Sequence, residues 1–199
     1  MRIGIDIDGV LTNLEQFSVD YFSKFCSDNN INYTIGKSSY NIYNTFNVTK
    51  EQEDLFWEKY ILEYAKNENI RPFAAEVIQK LRDNGHEIYI ITARWLTNRE
   101  DSLGDNMRNI VKSWLKKNNV IYDEIIFTKS QNESKKQDIN ENNIDLMIED
   151  NPNNINELSN IIPVICYNAT YNTHCNNDNI FRCYSWYDIY NKINEITIK

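Results

Sequence analysis

Asp6 and Asp8 stand two residues apart near the start of the chain, with Gly9 directly after them. A second acidic pair, Glu149-Asp150, leads into Asn151-Pro152. Thr92 and the adjacent lysines Lys135 and Lys136 lie between the two pairs. If these groups converge, the carboxylates repel one another and require a cation. Oxygen ligands without a nearby His or Cys favour Mg2+ over zinc. Mg2+ commonly completes its shell with water and a substrate phosphate. A carboxylate held in line with that phosphate can act as nucleophile. A second carboxylate can protonate the leaving oxygen and later activate water. A hydroxyl and an ammonium would bind the phosphoryl oxygens as charge builds on them. The chemistry these residue types could do together is phosphoryl transfer.

Each group has a plainer reading on its own. Asp6 and Asp8 suit a turn, and Thr92 suits the end of a strand. A lone lysine is usually solvated. Glu149 to Pro152 could simply cap a helix. The case for a site therefore rests on where the elements place these residues.

Five short apolar runs read as buried strands: 2–6, 87–92 (EIYIIT), 124–128 (EIIFT), 145–148 (DLMI) and 162–167 (IPVICY). Helical patterns separate them. Val77, Ile78 and Leu81 precede Gly85, a helix stop. Met107, Ile110, Val111, Trp114 and Leu115 make one apolar helix face. Pro152 to Leu158 suits a short helix with proline in its first turn. Ser185 is placed to cap a last helix with Ile189, Ile193 and Ile196 inward. This alternation predicts an α/β fold with a parallel sheet flanked by helices. In such a sheet ligands bind beyond the carboxyl ends of the strands. Those ends are where Asp6, Asp8, Thr92, Ala93, Arg94, Glu149 and Asp150 fall.

The stretch from about 13 to 71 interrupts the alternation. It has helical patterning (Phe17, Tyr21 and Phe22, then Leu55, Phe56, Tyr60 and Leu62) and no comparable buried strand. The expected division is a core of 1–14 and 71–199, with a mainly helical cap at 15–70.

Composition limits the partners. The formal net charge is -8, which argues against wrapping a nucleic acid polymer. Neither a signal peptide nor a membrane span is evident, so a cytoplasmic protein is expected. Cys26, Cys166, Cys175 and Cys183 match no disulfide or zinc spacing, and reduced thiols are expected. The expected partner is a small phosphomonoester, and a monomer or a homodimer is expected.

These motifs resemble the haloacid dehalogenase-like phosphohydrolase superfamily. Its first motif, D-x-D-G-x-x-T or V, matches Asp6 through Thr12. Its second, a Ser or Thr ending a strand, matches Ile91-Thr92-Ala93-Arg94. Its third is a lysine, for which Lys135 has the usual spacing and Lys136 and Lys129 compete. Its fourth, an acidic pair after a strand, matches Ile148 to Pro152. The resemblance implies that Asp6 forms an aspartyl-phosphate and that Asp8 is general acid and base. Asp6, the Asp8 carbonyl and Asp150 would hold Mg2+, with Glu149 as the competing acid. Thr92, the following Ala93 and Lys135 would bind phosphate. Within the superfamily the chain is most similar to the 5'(3')-deoxyribonucleotidase-like group and bacterial nucleotidases, on the short cap, Phe56-Trp57, Arg71-Pro72-Phe73 and the Ile-Thr-Ala-Arg block. That likeness implies a nucleoside monophosphate substrate. Phe56 and Trp57, with Arg94, are expected to contact it.

Overall fold

The computed structural model describes residues 1–129 and 135–197. Six parallel strands form one sheet: β1 (Arg2–Ile5), β2 (Glu87–Thr92), β3 (Glu124–Phe127), β4 (Leu146–Glu149), β5 (Val164–Tyr167) and β6 (Ile180–Cys183). Their spatial order is β3-β2-β1-β4-β5-β6. The chain departs from β1 towards β2 on one side and β4 on the other. The crevice beyond the carboxyl end of β1 is thus the topological switch point of a Rossmann-like sheet.

Helices cover both faces. Alternate strand residues enter two separate apolar clusters, as the period of a pleated strand requires. Leu146, Ile148 and Ile165 join one cluster with Val77, Leu81, Val111, Leu115 and Ile189. Met147, Val164 and Cys166 join the other with Ile139, Ile155 and Leu158. Burial on both sides explains why the strands read as apolar runs.

Five of the strands match the sequence expectation: β2 has the expected bounds and the other four differ by one or two residues at their ends. β6 was not expected. Its four residues, Ile-Phe-Arg-Cys, form an edge strand that is mostly half-buried. Arg182 interrupts its apolar pattern because that side chain folds back onto the Asn172 and Cys175 carbonyls.

Three helices follow β1: α1 (Leu14–Asp28), α2 (Ile42–Phe46) and α3 (Lys50–Asn67). Asn13 caps α1, and Thr49 with Gln52 forms a capping box on α3. Their shared core is aromatic: Phe22 meets Phe25, Phe46 and Phe56 at 4.9–5.7 Å between ring centres. Leu55 and Leu62, expected on the apolar face of α3, are exposed instead. The chain returns at Arg71, whose guanidinium donates to the Thr12 and Gly9 carbonyls at 3.0 and 3.1 Å. This one side chain joins the start and the end of the helical segment. Five further helices pack on the sheet: α4 (Ala74–Asp83), α5 (Ser102–Lys117), α6 (Lys136–Asn142), α7 (Pro152–Leu158) and α8 (Trp186–Thr197). No helix among the described residues is long and apolar enough to cross a membrane.

Candidate active site

The loop after β1 sets the geometry. The amides of Leu11 and Thr12 both donate to the Ile7 carbonyl, closing a tight turn that presents Asp6 and Asp8. Gly9 has φ +82, and a Cβ there would lie 1.9 Å from Asp150 Oδ2. Only glycine admits both that backbone and that carboxylate. Thr12 donates to the same Ile7 carbonyl and shares a 2.6 Å hydrogen bond with the Tyr64 hydroxyl of α3.

Lys135 lies immediately before α6. Its ammonium donates to Asp6 Oδ1 at 2.6 Å and to Glu149 Oε2 at 2.8 Å. Lys136 and Lys129 are exposed. The structure thus brings together Asp6, Glu149 and Asp150 from two strand ends and Lys135 from the start of α6. Every Glu149 oxygen is engaged within the protein. Oε1 accepts the amides of Asp150 and Asn151, each at 3.0 Å, and Oε2 accepts from Lys135 and Asn154. Asp150 differs. Its Oδ2 accepts a short hydrogen bond from Tyr171, and its Oδ1 is buried without any partner. Asn151 meanwhile caps α7, accepting from the amides of Asn153 and Asn154. The capping reading and the site reading of this motif are both satisfied, by neighbouring residues.

Asp6, Glu149 and Asp150 each offer an oxygen, all within 4.8 Å of one another. Burial pushes the Asp6 carboxyl up to about 7, with Lys135 opposing and Glu149 and Asp8 adding to the rise. Asp150 is held well above the usual carboxylate range, first by burial and then by Glu149 and Asp6. One ammonium does not neutralise three enclosed acids. A buried orphan oxygen among oxygen-only donors suits a hard divalent cation. Among the described residues no other such acidic, His or Cys group occurs, and the four cysteines are free thiols.

Thr92, at the end of β2, is fully enclosed, and its Oγ1 accepts the Arg94 amide at 3.2 Å. Ala93 is partly exposed beside it. Arg94, expected to contact the substrate, is instead buried with its guanidinium turned inward onto Asp8, so Asp8 stands between it and the open side. Trp57 is partly buried and lies beside Tyr64, 6.0 Å between ring centres. Phe56 corrects an expectation: it has no exposed surface and packs among Phe22, Phe25 and Tyr60. An enclosed ring has no face left for a nucleobase, so Phe56 belongs to the core of the helical segment.

Several surrounding residues carried no sequence signal. Tyr171 holds Asp150 Oδ2, and Asn172 donates to the carbonyls of Asp150 and Tyr167 at 2.8 and 2.9 Å. Arg182 donates in turn to Asn172 Oδ1. Tyr40, from the loop before α2, packs edge-on against Tyr171. They follow β5 or lie in the loop between α1 and α2, and no motif spacing links them to Asp150.

A parallel sheet of this order, with paired acids at the ends of β1 and β4 and a lysine between them, defines a phosphohydrolase of the haloacid dehalogenase-like class. The fold agrees with a HAD-superfamily hydrolase from Ehrlichia chaffeensis (TM-score 0.57, 15% identity, 98% of this chain and 97% of that one). It also agrees with D,D-heptose 1,7-bisphosphate phosphatase from B. bronchiseptica, solved with magnesium and phosphate (TM-score 0.57, 8% identity, covering 98% and 99%). The family described as 5' nucleotidase, deoxy (pyrimidine), cytosolic type C protein matches residues 1–199, and the chain belongs to that family. A nucleotidase of Clostridium acetobutylicum is 28% identical over 98% of this chain and 95% of its own length. The protein is accordingly a phosphoric monoester hydrolase.

Proposed function

We propose that the protein hydrolyses a nucleoside monophosphate, deoxy or ribo, by way of an aspartyl-phosphate on Asp6, with Mg2+ as its metal. The observation that carries this reading is the pairing of Lys135 with Asp6 beside the unpartnered Asp150 Oδ1. The heptose bisphosphate phosphatase, solved with magnesium and phosphate, supports the choice of metal by likeness of fold. Asp6, the Asp8 carbonyl and Asp150 would hold the ion. It would supply positive charge against the phosphate dianion and the acids. Glu149, with its oxygens already engaged, instead aims Lys135.

In the first step an Asp6 oxygen forms a bond to phosphorus and the bond to the ester oxygen breaks. Asp8 gives that oxygen its proton. Thr92, the Ala93 amide and Lys135 receive the phosphoryl oxygens. In the second step Asp8 takes a proton from water as the water oxygen attacks phosphorus. Inorganic phosphate leaves and the Asp6 carboxylate returns.

We assign 1–14 and 71–199 to the catalytic core and 15–70 to a cap that selects the substrate. The core handles only the phosphoryl group, so discrimination falls to the cover. We assign base stacking to Trp57, a half-buried cap aromatic beside Tyr64. Base stacking on an aromatic ring contributes roughly 1–3 kcal/mol. Trp57→Leu should therefore raise KM for nucleoside monophosphates about tenfold and barely change it for an aryl phosphate. Steady-state kinetics on both substrates checks this, and an equal loss on both would make Trp57 a packing residue only. The reading as a whole is tested by a Mg2+-supported turnover screen of nucleoside monophosphates against sugar phosphates. Nucleotides should be preferred. Far better turnover of sugar phosphates would end the nucleotidase reading and leave the phosphohydrolase.

A further inference from the structure

We propose that Arg94 is a positioning residue that clamps the Asp8 carboxylate for proton exchange with the leaving oxygen. The proposal rests on the reading above, in which Asp8 is the general acid and base. Arg94 Nε donates to both Asp8 oxygens, at 3.1 and 3.2 Å, and Nη2 donates to Oδ1. The edge of a guanidinium that can grip a carboxylate or phosphate at two points is thus occupied by Asp8. The Arg94 side chain is 1% exposed and that of Asp8 18% exposed. Asp8 is therefore the member of the pair that meets solvent and substrate, while Arg94 stands behind it.

The arginine is itself fixed from several sides. Its amide donates to Thr92 Oγ1, and its carbonyl accepts from the Thr97 hydroxyl at 2.7 Å. The guanidinium carbon lies 5.1 Å from the centre of the Tyr64 ring, which covers it from α3. Nη1 is enclosed without a partner. An arginine kept in such a place is costly unless its charge is matched, and the match is Asp8. A side chain bonded at two points cannot rotate away from the leaving oxygen. The clamp works in both protonation states, because a protonated carboxyl retains an oxygen that can accept from Arg94.

The leaving group tests this. A nucleoside oxygen departs poorly without a proton, whereas p-nitrophenolate departs readily without one. First-turnover rates isolate this step from later hydrolysis of the phospho-enzyme. Asp8→Asn sets the reference: nucleoside release should slow about 100-fold or more and nitrophenolate release less than about tenfold. Arg94→Gln and Arg94→Lys should copy that selectivity. Nucleoside release should slow at least about tenfold and nitrophenolate release less than about threefold, with apparent affinity for both nearly unchanged. Lys keeps the charge but offers no two-point grip, so it separates the clamp from the charge, and thermal melting verifies that each variant is folded. Equal slowing of both substrates, or weaker binding of both at unchanged rate, would overturn the clamp. If Asp8→Asn shows no selectivity, the acid role of Asp8 fails, and the proposal for Arg94 falls with it.

Discussion

Asp6→Asn should lower turnover of every phosphomonoester by at least about 10³-fold while the protein remains folded. Asn has nearly the volume of Asp, and its carbonyl oxygen can still accept from the Lys135 ammonium that now lies 2.6 Å from Oδ1. Lys135 also keeps Glu149, so it is not left as an unpaired buried charge. Burial already pushes the Asp6 carboxyl up to about 7, so loss of its charge removes repulsion with Glu149 as well as attraction to Lys135. Stability should therefore change little. Nucleophilicity is what disappears, since an amide oxygen does not displace an alkoxide from phosphorus. Steady-state kinetics with a melting curve checks both halves. Intact-mass measurement after mixing with substrate should show no added phosphoryl group. Retention of a tenth or more of the activity would remove Asp6 from the nucleophile role.

The strand ends were legible in the sequence because strands buried on both faces are written as apolar runs. Asp6, Thr92 and Glu149-Asp150 are the first polar residues at three such ends. β3 is also an edge strand, but its Glu-Ile-Ile-Phe reads as apolar, whereas the Arg182 of β6 breaks the pattern. Spacing left Lys135 and Lys136 as competitors. Neighbouring residues at the start of a helix point in different directions, and only the position of the residue before α6 brings Lys135 to Asp6 and Glu149. Within α3 a rotation of about 100° per residue separates Phe56 from Trp57. Two neighbouring aromatics look alike in sequence, yet Phe56 faces Phe22 and Phe25 while Trp57 keeps an open side. The Tyr171 and Asn172 contacts to Asp150 had no sequence signal, because they depend on how the loop after β5 returns to β4.

The choice between Glu149 and Asp150 as metal ligand shows how satisfied valences decide what motifs cannot. Glu149 already accepts four hydrogen bonds, so ligating a metal would cost it one of them. Asp150 has an enclosed oxygen with none, and leaving such an atom unpaired is expensive. Addition of Mg2+ should therefore stabilise the protein as well as activate it. At about one hundred times its dissociation constant a ligand adds about 2.7 kcal/mol. For a chain of this size that corresponds to a rise in melting temperature of roughly 5–10 °C. Asp150→Asn should abolish most of that rise and nearly all activity, because a neutral amide binds Mg2+ weakly. Glu149→Gln should lower the melting temperature without metal, since each Glu149 oxygen serves two donors and the NH2 that replaces one of them cannot accept, yet keep the Mg2+-induced rise. Differential scanning calorimetry with and without Mg2+ reads these shifts independently of catalysis. A full Mg2+ shift in Asp150→Asn would move the ligand assignment elsewhere. Full activity of the wild-type protein after EDTA treatment and desalting would end the metal assignment altogether.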